Sequence, residues 1–427
     1  MPICEFGWAE KDFYPPCSGC LTYVKDLAGL AGIELINIAE HADNAAIQKA
    51  TSELKGLSVE RMEDYRFGDF PIGKYAIPSV RWRLRTSQHE LHPHCPVMLS
   101  GFIRGGVAWA TGMKSICDRF NPDVVVMLNG LFMEERMAWA VAKAQKRRCV
   151  FFERGRDAAS VFLSHEVPGP RYDISSKWSE ISATPLAGPE RESIRAAMDR
   201  RRRGEKVVEK YWDSTSTDLN AIRTQLKVDS KGPVGVLYTN VSWDTAMQDR
   251  DTLFTGMFDW LTRVLNLFGK RPEWTLIIRV HPAETQLPGR ESYDRVEDWL
   301  RKHYNPLPAN VRVVRPNQSV DSYALMNLAT VGLVYASTVG LEMAVSGIPV
   351  VVAGAAHYSN KGFTYDPPSL EQYDAQITDL MQGTRSLDKD EQVDMAERYA
   401  HLFFLRRTLP MTVLDEPTSD RPRALYS

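Results

Sequence analysis

The feature that most constrains this chain is a series of short, almost unbroken apolar runs in its second half, each closed by small or polar residues. "PVGVLYTN" (Pro233 to Asn240), "WTLIIRVHP" (Trp274 to Pro282), "VRVV" (Val311 to Val314), "VGLVYA" (Val331 to Ala336) and "IPVVVAG" (Ile348 to Gly354) show no apolar–polar alternation. A strand with one wet face alternates. A strand that is apolar throughout is covered on both faces, as in the parallel sheet of an α/β fold. Helical signals lie between the runs: "LFTGMFDWLTRVLNLF", with apolar residues recurring at three and four, then stretches near Glu291 to His303, Ser319 to Leu328 and Gly340 to Ser346. Strand and helix in alternation predict a doubly wound domain.

The first half carries the same signals more thinly. "IELINIAE" (Ile33 to Glu40), "NPDVVVMLNG" (Asn121 to Gly130) and "CVFFERG" (Cys149 to Gly155) read as strands. Between the last two, "MEERMAWAVAKAQKRR" sets Met137, Ala140, Val141 and Ala144 on one helical face. Fully apolar strands again predict a parallel sheet covered on both faces. The 427 residues exceed one ordinary core. The expected fold is therefore α/β, with two doubly wound Rossmann-like domains facing a cleft. The expected division is an N-terminal α/β domain over 1–188, a charged helical connector over 189–232, a second domain over 233–395, and a helix and tail over 396–427. The opening "MPICEFG" shows no evident first strand or glycine-rich loop, so the first domain is expected to be incomplete at its start. The run Arg200 to Arg203 reads as a solvated face, and Tyr399, Leu402 and Phe403 as a helix packing back over the domains.

Composition removes several functions. A formal net charge of −2 gives no basic field for nucleic acid. The longest weakly charged region, Leu328 to Ala356, is broken by Glu342, Gly347 and Pro349, so it reads as strand, helix and strand rather than a bilayer span. With no basic start or apolar core in "MPICEFGWAEKDFYPP", no signal peptide is expected, and the six cysteines read as thiols of a reducing cytoplasm. Cys4, Cys17 and Cys20, with His41 as a fourth ligand, are the one zinc candidate; ordinary thiols are the preferred reading, and no metal or cofactor is expected. "HELHPHC" (His89 to Cys95) reads as a polar loop.

In open α/β sheets ligands bind beyond the carboxyl ends of the strands. Three successive ends in the second domain carry suitable groups. Proline disfavours the helical region for the preceding residue, so Pro282 should hold His281 extended at the rim, its ring aimed to donate to an anion or to a neighbouring backbone group. Ser337 and Thr338 open a helix whose free N–H groups suit a phosphate or simply a cap, with Gly340 and Glu342 in its first turn. Glu342 would complement the helix dipole or accept from a ribose hydroxyl. The loop "AAHYSNKGFT" adds His357, Tyr358, Lys361 and Thr364. Together they predict a phosphate-containing ligand.

"RVHPAE" followed by "YASTVGLEMAVSGIPVVVAGAAHYSNKGFT" resembles the bacterial capsule polysaccharide biosynthesis proteins, a group that includes transferases of the acidic sugar Kdo. The resemblance spans roughly residues 233–365 and implies the two-domain GT-B glycosyltransferase fold. It implies that His281, Pro282, Ser337, Thr338, Gly340 and Lys361 bind the donor phosphate of a CMP-linked sugar, with Glu342 near the nucleoside. In the first half "FFERG" and "FLSHEVPG" are similar to a family segment on the acceptor side, which would put Glu153 and Glu166 near the acceptor, Glu153 first as catalytic base. The implied reaction is metal-independent, inverting transfer to a glycan or lipid-linked acceptor, in the cytoplasm and at the inner face of the membrane, with room for peripheral membrane contact. The alternatives are a UDP-sugar epimerase, a teichoic-acid-type glycerophosphotransferase and a non-catalytic glycan assembly protein.

Overall fold

The computed structural model describes residues 18–155, 160–203, 205, 217–228, 232–287, 289 and 291–411. The chain divides into two compact units: one formed by residues 1–154, 161–171 and 410–427, the other by residues 155–160 and 172–409.

The second unit is the sheet announced by the apolar runs. Strands β4 (Val234–Tyr238), β5 (Thr275–Arg279), β6 (Val311–Val314), β7 (Val331–Val334) and β8 (Val350–Val352) lie in the order β6-β5-β4-β7-β8, all parallel. All five residues of β4 and all four of β7 are buried, as strands sandwiched between helices must be. The helix Met257–Gly269 supplies Trp260, Leu261, Val264, Leu265 and Phe268 to the core. Chain order reverses between β4 and β7, so the switch point of this doubly wound sheet lies beside their carboxyl ends.

The helix Gly188–Arg202, expected in a connector, belongs to this unit. Arg191 Nη1 and Arg195 Nε donate to the two oxygens of Glu397, at 2.8 and 2.6 Å, and Glu397 is buried on the helix Lys389–His401. A carboxylate taken out of water requires such partners, and two arginines 202 and 206 positions away supply them. The Arg200 to Arg203 run is correspondingly not a plain solvated face. Arg201 reaches buried Glu342 and stacks on Phe404 at 4.7 Å, while Arg202 Nη2 donates to Ser346 Oγ at 2.9 Å. After His401 the helix continues as a π-helical turn, Leu402–Arg406, that buries Leu402, Phe403 and Phe404.

The first unit is helix-rich. Its core is built around the 26-residue helix Cys95–Phe120, against which Ile72–Leu84 and Asn44–Leu54 pack. A Cβ on Gly106 would lie 2.6 Å from Ile72 Cγ2, so these two helices meet where only glycine fits. The strand, helix and strand read from sequence are present: β1 (Val124–Leu128) pairs in parallel with β2 (Arg148–Arg154), and the helix Met133–Ala144 lies between them in sequence. Then β3 (Ser160–His165) runs antiparallel to β2, so this sheet is mixed. Two expectations change. Ile33 to Glu40 forms no strand: residues 33–37 are irregular and a short helix, Ile38–His41, follows, because no ladder partner lies beside them among the described residues. Among the described residues the sheet is also fully buried on one face only. Met127, Cys149, Phe151 and Phe162 are buried on the helix side, while Val126, Leu128 and Phe152 on the other are 62, 40 and 37% exposed.

Candidate functional site

At the carboxyl end of β5 the backbone of His281 is extended (φ −63°, ψ 128°), the conformation Pro282 imposes. Its N–H donates to Thr239 Oγ1 at the end of β4, at 2.9 Å. Its Nδ1 accepts from the Ala283 N–H at 3.1 Å, which closes the single turn Pro282–Glu284. Burial, and behind it the charge of Arg279, pushes the imidazole down to about 4, so the ring is neutral near pH 7. A neutral ring that accepts at Nδ1 carries its proton on Nε2. His281 is thus set as a donor through a fixed tautomer.

Beneath it lies a group whose role the sequence reading left unassigned. Arg279 is buried, lowered to about 10 by burial and still cationic, and its Nη1 donates to the carbonyl of Arg315 at 2.9 Å. The signal was present: an arginine ending the apolar run "TLIIR" has no business in a strand unless its charge is used. Glu284 is a second such residue. It is 3% exposed, its Oε1 accepts the Val296 N–H at 3.0 Å, and burial raises it to about 7. It ties the His281 turn to the first residue of the helix Val296–His303.

On the other side of β4, β7 ends at Val334 and leads through Tyr335 and Ala336 to Ser337 and Thr338. Ser337 Oγ accepts from the Val339 N–H at 3.4 Å and so acts partly as a cap. The helix behind it, Val339–Val345, spans only seven residues, so its dipole is a small part of any anion field. Gly340 is explained by packing: a Cβ there would lie 2.1 Å from the hydroxyl of Tyr358, which donates to the Ser337 carbonyl. Glu342 is not presented to a ribose. It is buried, held by Arg201 at 2.8 Å and hydrogen-bonded to Tyr323, whose hydroxyl burial raises far above its usual range. The expected nucleoside contact is therefore a helix anchor.

Strands β5 and β7 flank β4, so His281 and the Ser337–Thr338 turn rise about 10 Å apart, two strand spacings, on either side of Thr239 and Asn240. Asn240 was also missed, although it ends the run "VLYTN". In the loop after β8, His357 Nδ1 lies 3.0 Å from the Tyr399 hydroxyl and its ring stacks on Phe403 at 4.1 Å. Lys361 Nζ donates to Ser175 Oγ at 3.0 Å, and Thr364 Oγ1 donates to Asp366 at 2.7 Å.

The two first-unit glutamates are not brought together. Glu153 is half-buried near the carboxyl end of β2, its Oε1 accepting the Arg154 N–H at 2.8 Å. Glu166 sits past β3 opposite the start of β2, with positive φ (61°), and its Oε1 accepts the Cys149 N–H at 2.8 Å. Four residues of strand separate those positions, about 13 Å, and Glu166 serves to close the β2–β3 edge. Cys4 and Cys17 lie outside the described residues, as does the side chain of Cys20; His41 Nδ1 lies 3.4 Å from Ser115 Oγ. Among the described residues no cluster of three His, Cys, Asp or Glu side chains forms a metal site.

A parallel sheet whose chain order reverses beside β4 defines the second unit as an α/β domain of the doubly wound class. Residues 193–383 match the sequence profile of the capsule polysaccharide biosynthesis protein family. No curated protein sequence matches. Among solved structures, the chain is similar to the beta Kdo 2,7 transferase of Thermosulfurimonas dismutans KpsC (13% identity, 71% of this chain and 84% of that one, TM-score 0.43). It is similar to the beta Kdo 2,4 transferase of the same protein (15%, 64% and 78%, TM-score 0.42), and to UDP-GlcNAc 2-epimerase from Neisseria meningitidis bound to UDP-GlcNAc (14%, 70% and 80%, TM-score 0.30).

Proposed function

We propose that the chain is a glycosyltransferase of capsule or surface polysaccharide biosynthesis that moves an acidic sugar of the Kdo kind from a CMP-activated donor to a glycan or lipid-linked hydroxyl. The observation that carries this reading is the fixed Nε2–H of His281 at the rim, across the switch point from the Ser337–Thr338 turn, within the segment that matches the capsule family profile. As the bond between the anomeric carbon and the phosphate oxygen breaks, its electron pair stays on the departing CMP. Donors already oriented toward that oxygen stabilise it without reorganising, and buried Arg279 adds positive potential behind them. Thr239 and Pro282 hold the backbone of His281, and the Ala283 N–H holds its ring.

The acceptor hydroxyl must lose its proton as it attacks, and Glu153 is the proposed base. Glu166 is left out of that role by its bond to Cys149. Attack opposite the leaving group inverts the anomeric centre, and no metal is invoked. Nucleotide sugars set the reaction in the cytoplasm, at the inner face of the membrane where the acceptor is lipid-linked; among the described residues no helix is long and apolar enough to cross a bilayer.

The test is incubation of the full chain with CMP-Kdo, CMP-sialic acid, UDP-GlcNAc and CDP-glycerol, with and without a surface-glycan acceptor. Acceptor-dependent CMP release is the expected result. Isomerisation of the UDP-sugar, glycerol phosphate transfer or binding of no nucleotide would each overturn the proposal. Glu153→Gln should keep donor binding while turnover drops on the order of 100-fold or more.

A further inference from the structure

Glu342 is buried in the first turn of the helix Val339–Val345, and its carboxylate meets the guanidinium of Arg201. Replacing a buried ion pair by apolar side chains of similar volume is often neutral or stabilising, so stability alone gives no reason to keep one. What a charged pair adds over an apolar contact is direction. Arg201 Nε and Nη2 both donate to Glu342 Oε1, at 2.9 and 2.8 Å, and the guanidinium is itself stacked on Phe404 at 4.7 Å.

The next arginine holds the same residue by its backbone. Arg202 Nη2 donates to Ser346 Oγ at 2.9 Å, and Ser346 Oγ donates in turn to the Glu342 carbonyl at 2.8 Å. The last turn of the helix Gly188–Arg202 therefore grips Glu342 twice, at its side chain and at its carbonyl. That helix is tied down in its turn by the Arg191 and Arg195 bonds to Glu397. From Glu342 the path to the rim is one hydrogen bond long. Its N–H donates to the Thr338 carbonyl at 3.4 Å, beside that of Leu341 at 3.0 Å. The Gly340 N–H and the Tyr358 hydroxyl hold the Ser337 carbonyl in the same way, at 3.1 and 2.5 Å. A seven-residue helix adds little field of its own, so what this turn offers a phosphate is the placement of its polar groups. Placement is a strong lever, since about 1 Å of misalignment costs up to roughly 100-fold.

We propose that Arg201 is a positioning residue for the Ser337–Thr338 turn and, through it, for the donor phosphate: it fixes Glu342, which Arg202 and Ser346 brace from the other end of the short helix. The inference rests on the donor site proposed above and deepens it. It makes a helix turn 141 positions earlier in the chain part of what sets donor affinity.

The test compares the full-length wild type with the double variant Arg201→Met/Glu342→Leu, which replaces the ion pair by an apolar one, and with Arg201→Lys and Ser346→Ala. Arg263→Met, which opens an ion pair to Asp374 elsewhere in the same unit, is the control. Two quantities are read on samples whose folding is checked by circular dichroism: CMP-Kdo affinity by calorimetry, and amide hydrogen exchange over residues 337–342 without nucleotide. The double variant should melt near the wild type, bind at least about fivefold more weakly and exchange faster at the turn, a loss the size of one ordinary hydrogen bond. Arg201→Lys, which keeps a cation for Glu342, should fall between the two. Ser346→Ala should weaken binding about twofold, and Arg263→Met should change neither quantity. Unchanged affinity in the double variant would reduce the pair to a structural brace and overturn the proposal, as would an equal loss in Arg263→Met. If the double variant does not fold, Ser346→Ala, which keeps the ion pair, decides by the same two readings. A wild type that binds no CMP-Kdo overturns the donor reading alone; exchange at the turn then decides the role of Arg201, faster in the variant upholding it and unchanged overturning it.

Discussion

The two sheets are built from the same kind of strand and end in different states. In the second unit β4 and β7 are buried along their whole length, and every pairing is parallel. In the first unit "VVVML" and "RCVFFER" are nearly as apolar, yet among the described residues one face is partly exposed and the third strand runs antiparallel. An apolar strand states what it needs, a cover on both sides. It does not state which part of the chain, or which other chain, supplies the cover.

The largest expected effect comes from placing one carboxylate in each sheet. Val236→Asp, in the centre of β4 where the side chain is wholly buried, should cost more than about 4 kcal/mol and unfold the second unit. Val126→Asp, at 62% exposure, should change the stability of a single chain by less than about 1 kcal/mol. Denaturant melts of both decide the matter, and equal losses would erase the distinction between the sheets. Next comes Glu397→Ala, which removes the buried carboxylate that Arg191 and Arg195 share; Arg191 keeps Asp394 and Arg195 is 58% exposed, so the loss should be about 1–2 kcal/mol by the same measurement. A negligible loss would return the helix Gly188–Arg202 to the status of a connector.

A further effect separates by pH. Glu284 is raised from 4.5 to about 7 by burial, so the folded state holds its proton more tightly than the unfolded one. Its stabilising share is complete below about 4.5 and is lost as pH rises through 7, in all about 3 kcal/mol. His281, lowered to about 4, has the opposite slope: its share is complete above about 6.5 and is lost as pH falls toward 4. Glu284→Gln should therefore lose less stability than wild type between pH 5 and 7.5 in paired thermal melts. Parallel pH profiles for the two proteins would mean that Glu284 does not titrate as described.

The second sheet and its rim were legible because local signals carry them. Apolar runs mark the strands, proline sets the conformation of His281, and the strand-end rule selects His281 and Ser337. What escaped depends on distant partners. Glu342 looked like a ligand contact because its partner, Arg201, lies 141 positions earlier, inside a run that reads as solvent-facing. Glu166 looked like a neighbour of Glu153 in sequence, whereas the turn of the chain into β3 carries it to the other end of β2. Ile33 to Glu40 has the composition of a strand but no ladder to join. Arg279 and Glu284 were visible as charges beside an apolar run, and only their burial reveals that they brace the histidine.

Calorimetric titration of CMP-Kdo into the full chain and into His281→Ala, at pH 7.5, asks the central question directly. If the rim of the second sheet seats the donor phosphate through the Nε2–H of His281, the wild type binds. The variant then stays folded with affinity reduced at least about tenfold, the loss of one oriented donor to an anion. Equal affinities in the two proteins would remove His281 from the site and the glycosyl-transfer account with it.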